Sequence, residues 1–257
     1  MHKTNRLLSL ITILLLQLAM AGCVSMSFDY PKEPTRALTD TADTYLAKES
    51  ATWRDGQLQG NGFYSLSKGK DAFGARLVLM NEAEKSIDAQ YFLMKPDNAG
   101  LVFTDKLMEA ANRGVRVRLL LDDVFTTVND SYFSYMNAHP NIEVRIFNPI
   151  SRKGLYWLNY VGHFSLANRR MHNKSFIIDN QVAIVGGRNI AVEYFQLETT
   201  GEFIDFDMLT AGPIVKDLSD SFDIYWNNKL AVPMQALSDK PDQKQPEQYE
   251  EIVRQLM

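Results

Sequence analysis

The chain has 257 residues, of which 46% are hydrophobic and 23% are charged, so it can build a folded domain with an apolar core. Its formal net charge of −4 gives no overall attraction to nucleic acid, and such a partner would need a local basic patch. The single cysteine excludes an internal disulfide, so the stability of the fold must come from packing.

The first residues have the pattern of an export signal. A short cationic stretch precedes an apolar run over 7–20, which is too short for a spanning helix, and small residues then lead to Cys23. Ala-Gly-Cys after leucines resembles the lipobox of bacterial lipoproteins. We therefore expect residues 1–22 to be a signal peptide and Cys23 to be a lipid anchor, the alternative being a plain cleaved signal with an incidental cysteine. Val24, rather than an aspartate, follows the cysteine, and by resemblance to known lipoprotein sorting this favours an exported lipoprotein on the periplasmic face of the bacterial outer membrane.

The remaining sequence predicts three parts. Residues 23–54 are polar and contain two prolines, which is typical of a tether. Residues 55–235 carry the patterns of a folded domain. Residues 236–257 combine a polar linker with an apolar stripe at helical spacing, the start of an amphipathic helix. A stripe that begins so late suggests a longer parent protein or a docking partner, and a short helix folding back on its own domain is the alternative.

Helices and strands alternate through the domain. Apolar periodicity predicts helices over 72–85, 101–112, 131–138 and 215–229, and strands over 86–94, 115–123, 142–147 and 202–210. The second half of the 115–123 strand is continuously apolar, as in a sheet covered on both sides. This order predicts an α/β fold, an α/β/α sandwich whose mixed, mostly parallel sheet has helices on both faces.

The stretch RRMHNKSFIIDNQVAIVGGRNI, residues 169–190, carries the chemistry. Two apolar runs around Asp179 predict a β-hairpin. His172 and Lys174 are two residues apart, so on a strand both side chains emerge on the same face. This pair suits a phosphate, because the lysine supplies charge and hydrogen bonds while the histidine can reach phosphorus.

Three more positions complete the pattern. Gly186 and Gly187 would let the backbone come close to a ligand, and Asn189 supplies an amide donor just beyond them. A single histidine near apolar residues is more often structural, and a nearby lysine is often only a solvated neighbour. The joint spacing is what favours a catalytic site.

The joint pattern closely resembles the HKD motif of the phospholipase D superfamily. The stretches AEKSIDAQYF, AANRGVRVRLLLDD and DFDMLTAGPIV also resemble the N-terminal half of the bacterial phospholipase D-like proteins that include cardiolipin synthases. The resemblance covers residues 55–235 and implies the phospholipase D-like form of the α/β/α sandwich.

The resemblance also implies a mechanism. One histidine attacks the phosphorus of a phosphodiester and forms a phosphohistidine, and a second histidine protonates the leaving alcohol and then activates water or another alcohol. Carried over by position, His172 is the nucleophile or its acid/base partner, and Lys174, Gly187 and Asn189 bind phosphate. No metal or cofactor is required, because lysine and asparagine side chains neutralise the developing charge.

Three acidic positions belong to the same resemblance. Asp179 is the aspartate of the catalytic motif and is expected to be mainly structural. An acidic residue on a later strand normally orients the histidine. Asp205 matches it best by its spacing to Gly212-Pro213, and Asp207 is the second choice.

The chemistry needs two such motifs, and this sequence has one. The other three of its four histidines have no lysine two residues on. Either two chains pair about a two-fold axis, or the chain is the N-terminal half of a protein with two motifs. The linker and unfinished helix fit the second possibility better.

Substrate class is predicted from the surroundings of the motif. Four aromatic residues between 156 and 164 precede Arg169 and Arg170, which suits a lipid–water interface or, equally, the packed edge of a domain. The leading hypothesis is a phosphodiesterase or transphosphatidylase that acts on phospholipids at a membrane surface, of the cardiolipin synthase type. The alternatives are a dimeric, metal-independent phosphodiesterase on nucleic acid, which the acidic balance disfavours, and an inactive anchored remnant or partner-binding module.

Overall fold

The computed structural model describes residues 28–54, 60–123, 130–150, 169–197 and 203–237. Over these residues the chain forms five α-helices and eight β-strands. The helices are α1 Tyr45–Trp53, α2 Gly69–Glu82, α3 Asn98–Asn112, α4 Asp130–Asn137 and α5 Ile214–Trp226. The strands are β1 Gly62–Leu66, β2 Ser86–Tyr91, β3 Arg116–Asp122, β4 Ile142–Phe147, β5 Ser175–Ile178, β6 Val182–Gly186, β7 Asp207–Ala211 and β8 Ala231–Pro233. Within this described part, no helix is long and apolar enough to cross a bilayer.

All eight strands join one sheet in the order β1-β7-β6-β5-β2-β3-β4-β8, which places the predicted hairpin β5–β6 in its middle. The β2–β3 and β3–β4 pairs are parallel. The other five pairs are antiparallel. The predicted mixed sheet is confirmed, but the prediction that most of its pairs are parallel is wrong. Helices connect β2 to β3 and β3 to β4, the two neighbouring pairs that are parallel. Strand β5 of the hairpin pairs with β2 in the antiparallel direction, and β7 pairs with β6 in the antiparallel direction.

Helices cover both faces of the sheet, which confirms the predicted sandwich. On one face, α2, α3 and α4 contribute to a large apolar cluster that includes Leu119 of β3. On the other face, Phe222 and Trp226 of α5 pack in a second cluster with Leu120 of β3. Leu119 and Leu120 therefore face opposite ways, as neighbours on a strand must, and the continuous apolar run of β3 fills both cores.

The helices and strands predicted between residues 72 and 229 are present, and their ends differ by a few residues for local reasons. Helix α3 begins at Asn98 because the Asp97 carboxylate caps it, accepting from the amide of Gly100 at 3.0 Å. The strand predicted from residue 202 begins only at Asp207, and residues 203–206 lie ahead of it in non-strand backbone.

The tether prediction does not hold for residues 28–54. Lys32 Nζ donates to the carbonyl of Ala231 at 2.6 Å, and the hydroxyl of Thr35 accepts from Trp226 Nε1 at 2.8 Å. Arg118 Nη1 also donates to the carbonyl of Thr35 at 3.0 Å. These polar residues satisfy buried groups of β3, β8 and α5, so the segment belongs to the folded unit.

Candidate active site

His172 and Lys174 lie in the segment that leads into β5, at one end of the central hairpin. Asp122, the last residue of β3, holds this segment in place. Its carboxylate accepts from the amide of Met171 at 2.8 Å and pairs with Arg170 at 3.2 Å. A buried carboxylate therefore fixes the backbone directly before His172, while the His172 side chain itself is exposed.

Lys174 is largely buried and points its ammonium back along the segment. Its Nζ donates to the carbonyl of His172 at 2.6 Å and lies 5.3 Å from the centroid of the Phe92 ring. Burial lowers the pKa of Lys174, and the nearby carboxylate of Asp205 opposes that shift. The structure thus brings Lys174 beside His172 and near Asp205, the first choice for the orienting acid.

His172 packs on the same aromatic ring. The centroid of its imidazole lies 4.3 Å from that of Phe92, with 36° between the two planes. Partial desolvation lowers the pKa of His172, and the positive charge of Lys174 lowers it further. A lowered pKa keeps the imidazole neutral at neutral pH, and the neutral form is the one that can attack phosphorus.

Asn189 comes shortly after β6, the second strand of the hairpin, and its side chain is buried. Its Oδ1 accepts from the amide of Leu93 at 3.0 Å, a bond between the end of β2 and the stretch after β6. Because the carbonyl end of the side chain is fixed in this way, the amide nitrogen is the group that Asn189 can offer to a phosphate oxygen.

The two glycines at the end of β6, Gly186 and Gly187, make room for protein rather than for a ligand. The amide of Gly187 donates to the carbonyl of Phe206 at 3.0 Å. A Cβ added at Gly187 would lie 1.9 Å from Asp205 Oδ1, and one added at Gly186 would lie 2.1 Å from Asp207 Oδ1. The predicted phosphate contact of Gly187 is therefore corrected: its amide is already used, and the absent side chain admits Asp205.

The two candidate orienting acids have different surroundings. Asp205 is half-buried, and its Oδ1 accepts from the amide of Phe206 at 2.8 Å. Asp207 is fully buried and pairs with Arg76 at 2.9 Å and with Arg188 at 3.5 Å. Since two guanidinium groups hold the Asp207 carboxylate, the geometry does not fit Asp207 as the orienting residue. Among the described residues, neither acid hydrogen-bonds the imidazole of His172.

Asp179 lies at the opposite end of β5 from His172. It opens the three-residue turn 179–181 between β5 and β6, and Asp179 and Asn180 both have φ of 51°, in the left-handed region that tight hairpin turns use. Its carboxylate accepts from three consecutive amides, of Glu84 at 3.0 Å, Lys85 at 2.7 Å and Ser86 at 2.8 Å. Its place among the catalytic residues is therefore corrected to the structural role that the sequence also suggested.

Sequence reasoning missed four residues that build the site: Phe92, Asp122, Arg76 and Arg188. Asp122 carried a usable signal, because it ends a strand of a parallel pair, where functional side chains collect. Arg188 donates to the carbonyls of Leu66 at 2.8 Å and Ser67 at 2.7 Å and also to that of Asp205. No local pattern marks a buried arginine whose partners are backbone carbonyls far away in sequence.

Several predictions fall outside the described residues. These are the signal peptide, the lipid anchor at Cys23, the aromatic stretch over 156–164 and the helix that begins at residue 249. Among the residues that are described, no group of three or more His, Cys, Asp or Glu side chains could hold a metal ion.

The imidazole of His172 and the ammonium of Lys174 lie on one aromatic ring at the entry to the central hairpin, and these two groups suit a phosphate-containing substrate. Residues 77–226 match the family described as "Cardiolipin synthase, PLD-like domain". The chain therefore belongs to this phospholipase D-like family of enzymes. The recognised motif, the family match and the mixed sheet agree with one another.

Relatives with known names support the assignment. The chain is 44% identical to cardiolipin synthase C of Escherichia coli (strain K12) over 189 residues, which cover 74% of this chain and 40% of the relative. It is 30% identical to a cardiolipin synthase of Oceanobacillus iheyensis over 171 residues, covering 66% of this chain and 34% of the relative. The chain thus spans well under half of the length of these two relatives.

Two solved structures share the fold. Phosphatidylserine synthase of Haemophilus influenzae Rd KW20 has a TM-score of 0.52 at 12% identity, covering 76% of this chain and 42% of that chain. NucT from Helicobacter pylori has a TM-score of 0.50 at 16% identity, covering 68% of this chain and 98% of that chain. At these identities the likeness concerns the fold alone.

Proposed function

We propose that the chain supplies one catalytic half of a phosphatidyl-transferring phosphodiesterase of the cardiolipin synthase type. The observation that carries the proposal is an exposed His172, with a lowered pKa, beside a buried Lys174 on the central hairpin. Membership of the cardiolipin synthase family supports the same reaction class.

The reaction proceeds in two displacements. A ring nitrogen of His172 attacks phosphorus, a P–N bond forms, and the P–O bond to the leaving alcohol breaks. Lys174 and the side-chain amide of Asn189 donate to the non-bridging oxygens. A second histidine protonates the leaving oxygen. It then takes a proton from the acceptor alcohol, whose oxygen displaces His172 from phosphorus. That second histidine comes from another HKD half, either in a longer protein or in a homodimer partner.

The border of the site supports a lipid substrate. Phe203, Ile204 and Phe206 are 51%, 101% and 45% exposed, and we call these three the apolar border. They flank Asp205, whose carboxylate lies against Gly187 and acts on the charge of Lys174. Exposed apolar side chains beside a phosphate site suit a substrate with acyl chains, whereas a polynucleotide would be met by cations.

The proposal extends to location. The lipobox-like stretch supports a lipid anchor at Cys23 that holds the exported domain beside a membrane. Metabolic labelling with a radioactive fatty acid should mark the wild-type protein and leave Cys23→Ser unlabelled. Equal labelling of both proteins would refute the anchor.

Aryl phosphodiesters test the substrate class without a second histidine. A nitrophenolate leaves as an anion and needs no protonation, so one half-site suffices to release it. We expect faster release from a nitrophenyl phosphatidyl ester in vesicles than from a nitrophenyl ester of thymidine monophosphate, and loss of both in His172→Ala. Preference for the thymidine ester would favour a nucleic-acid phosphodiesterase. Release that does not depend on His172 would overturn the proposal.

A further inference from the structure

Phe92 contacts two of the three reactive groups of the half-site, although it cannot take part in the chemistry itself. It follows β2 directly, and its ring faces both the imidazole of His172 and the ammonium of Lys174, at 4.3 Å and 5.3 Å from the ring centroid respectively. The next residue, Leu93, gives its amide to Asn189. The end of β2 therefore contacts His172, Lys174 and Asn189.

The ring of Phe92 lies outside the apolar core of the sandwich. Phe92 is only partly buried, and it belongs to neither of the two hydrophobic clusters that hold the sandwich together. By contrast, Phe73 pairs with Phe195 at 4.7 Å with the same 36° between planes, inside the large cluster. The two pairs have similar geometry, but only the Phe92 pair serves the site.

Packing against the Phe92 ring is the contact that restrains the imidazole of His172. Among the described residues, no hydrogen bond reaches the ring of His172, so its orientation depends on the surface against which it lies. The same ring also attracts the Lys174 ammonium, because the face of an aromatic ring carries partial negative charge. One side chain thereby contacts both the proposed nucleophile and the phosphate-binding cation.

We propose that Phe92 is a positioning residue, an aromatic platform that holds the His172 imidazole and the Lys174 ammonium in register for attack on phosphorus. Its consequence for catalysis rests on the proposed function, whereas its contact with His172 can be measured in the absence of any substrate. The charged groups around that contact are Lys174, in the same segment, and Asp205, ahead of β7.

The first test is NMR of the whole chain with labelled histidine, using His172→Ala to assign the His172 signals. Phe92→Leu removes the ring current, so the ring-proton signals of His172 should move downfield. Its pKa should rise, because the imidazole becomes better solvated and Lys174 is held less closely. Phe92→Tyr should keep both values near wild type. The matched control Phe73→Leu should leave the His172 signals unchanged. Unchanged signals and pKa in folded Phe92→Leu would overturn the proposal.

The second test measures the rate of nitrophenolate release from an aryl phosphodiester. Misplacement of a nucleophile costs about 10- to 100-fold, so we expect a loss in that range for Phe92→Leu at unchanged apparent KM. Phe92→Tyr should recover most of the rate, and Phe73→Leu should retain it. A loss seen only as a raised KM would contradict a positioning role. If wild type releases no nitrophenolate, the proposed function fails, while the NMR result still decides the role of Phe92.

Discussion

The two ends of strand β5 carry the two halves of one sequence motif and differ in almost every physical respect. At one end, Asp179 is fully buried and accepts three backbone amides from the turn between α2 and β2. At the other end, His172 is exposed and has no described hydrogen-bond partner for its ring, and Lys174 beside it has a lowered pKa. One end is saturated with internal bonds, and the other leaves the imidazole of His172 without a hydrogen bond among the described residues.

The contrast assigns separate tasks to residues of one motif. The Asp179 end locks the hairpin to its neighbour β2, which fixes the position of β5 in the sheet. Because β5 has only four residues, an anchor at one end also places the other. The reactive end can therefore leave the imidazole of His172 without a hydrogen bond from the described part of the chain and still keep its position.

Replacement of His172, at the reactive end, should have the largest effect on the rate of nitrophenolate release. His172→Ala removes the nucleophile, and we expect nitrophenolate release to fall by about 10⁴-fold or more. Because the side chain is exposed, the free energy of unfolding should change by less than about 0.5 kcal/mol. His139→Ala, at a histidine outside the site, should keep the rate. A large loss of stability in His172→Ala would contradict the proposed division of tasks.

Replacement of Asp179 should have the opposite profile. Asp179→Ala leaves three amides without their acceptor and puts alanine at a positive φ, so unfolding should become easier by about 3 kcal/mol or more in chemical denaturation. Asp179→Asn keeps the turn conformation and part of the acceptor, so its loss should be smaller. Asp220→Ala, an exposed aspartate on α5, should cost no more than about 0.5 kcal/mol. A stable Asp179→Ala protein that loses all activity would show that Asp179 acts in the chemistry.

Replacement of Lys174 tests the electrostatics of the reactive end. Lys174→Gln removes a donor to the phosphate, and we expect release to fall by about 10²- to 10³-fold. The positive charge of Lys174 lowers the pKa of His172, so its removal should raise that pKa. The acidic limb of the pH–rate profile should accordingly move to higher pH. Lys216→Gln, on the surface of α5, serves as the control and should leave both rate and profile unchanged.

The smallest expected effect concerns the apolar border. Ile204→Asp should slow release from the nitrophenyl phosphatidyl ester in vesicles by about tenfold, because a charge there opposes contact with lipid. A soluble aryl phosphodiester should react at the wild-type rate. Ile224 is also an exposed isoleucine, but it lies on α5, and Ile224→Asp is therefore the matched control for the added charge. Equal loss with the two substrates would assign Ile204 to the site itself rather than to lipid contact.

The sequence predicted the parts of the site that are local. The hairpin, the pairing of His172 with Lys174 and the position of Asn189 follow from a short stretch whose apolar pattern and turn residues are unambiguous. The family motif also suggested a structural role for Asp179, and the structure identifies its three amide partners.

Other parts depend on contacts between residues far apart in sequence. Phe92 reaches His172 only because β2 and β5 are neighbours, and Asp122 holds the His172 segment from the end of β3. The direction of β5 beside β2 was likewise decided by topology, which is why the prediction of a mostly parallel sheet failed. The polar composition of residues 28–54 suggested a tether, although those polar groups bond to buried parts of the domain.

The most direct test of the account is to identify the atom that takes the phosphoryl group. The folded chain is mixed with an excess of a nitrophenyl phosphodiester, quenched in alkali, which preserves a phosphohistidine, and digested for mass spectrometry. The account predicts a burst of about one nitrophenolate per active half-site together with an adduct on His172. A burst that leaves His172 unmodified, or no burst from the folded chain, would contradict it.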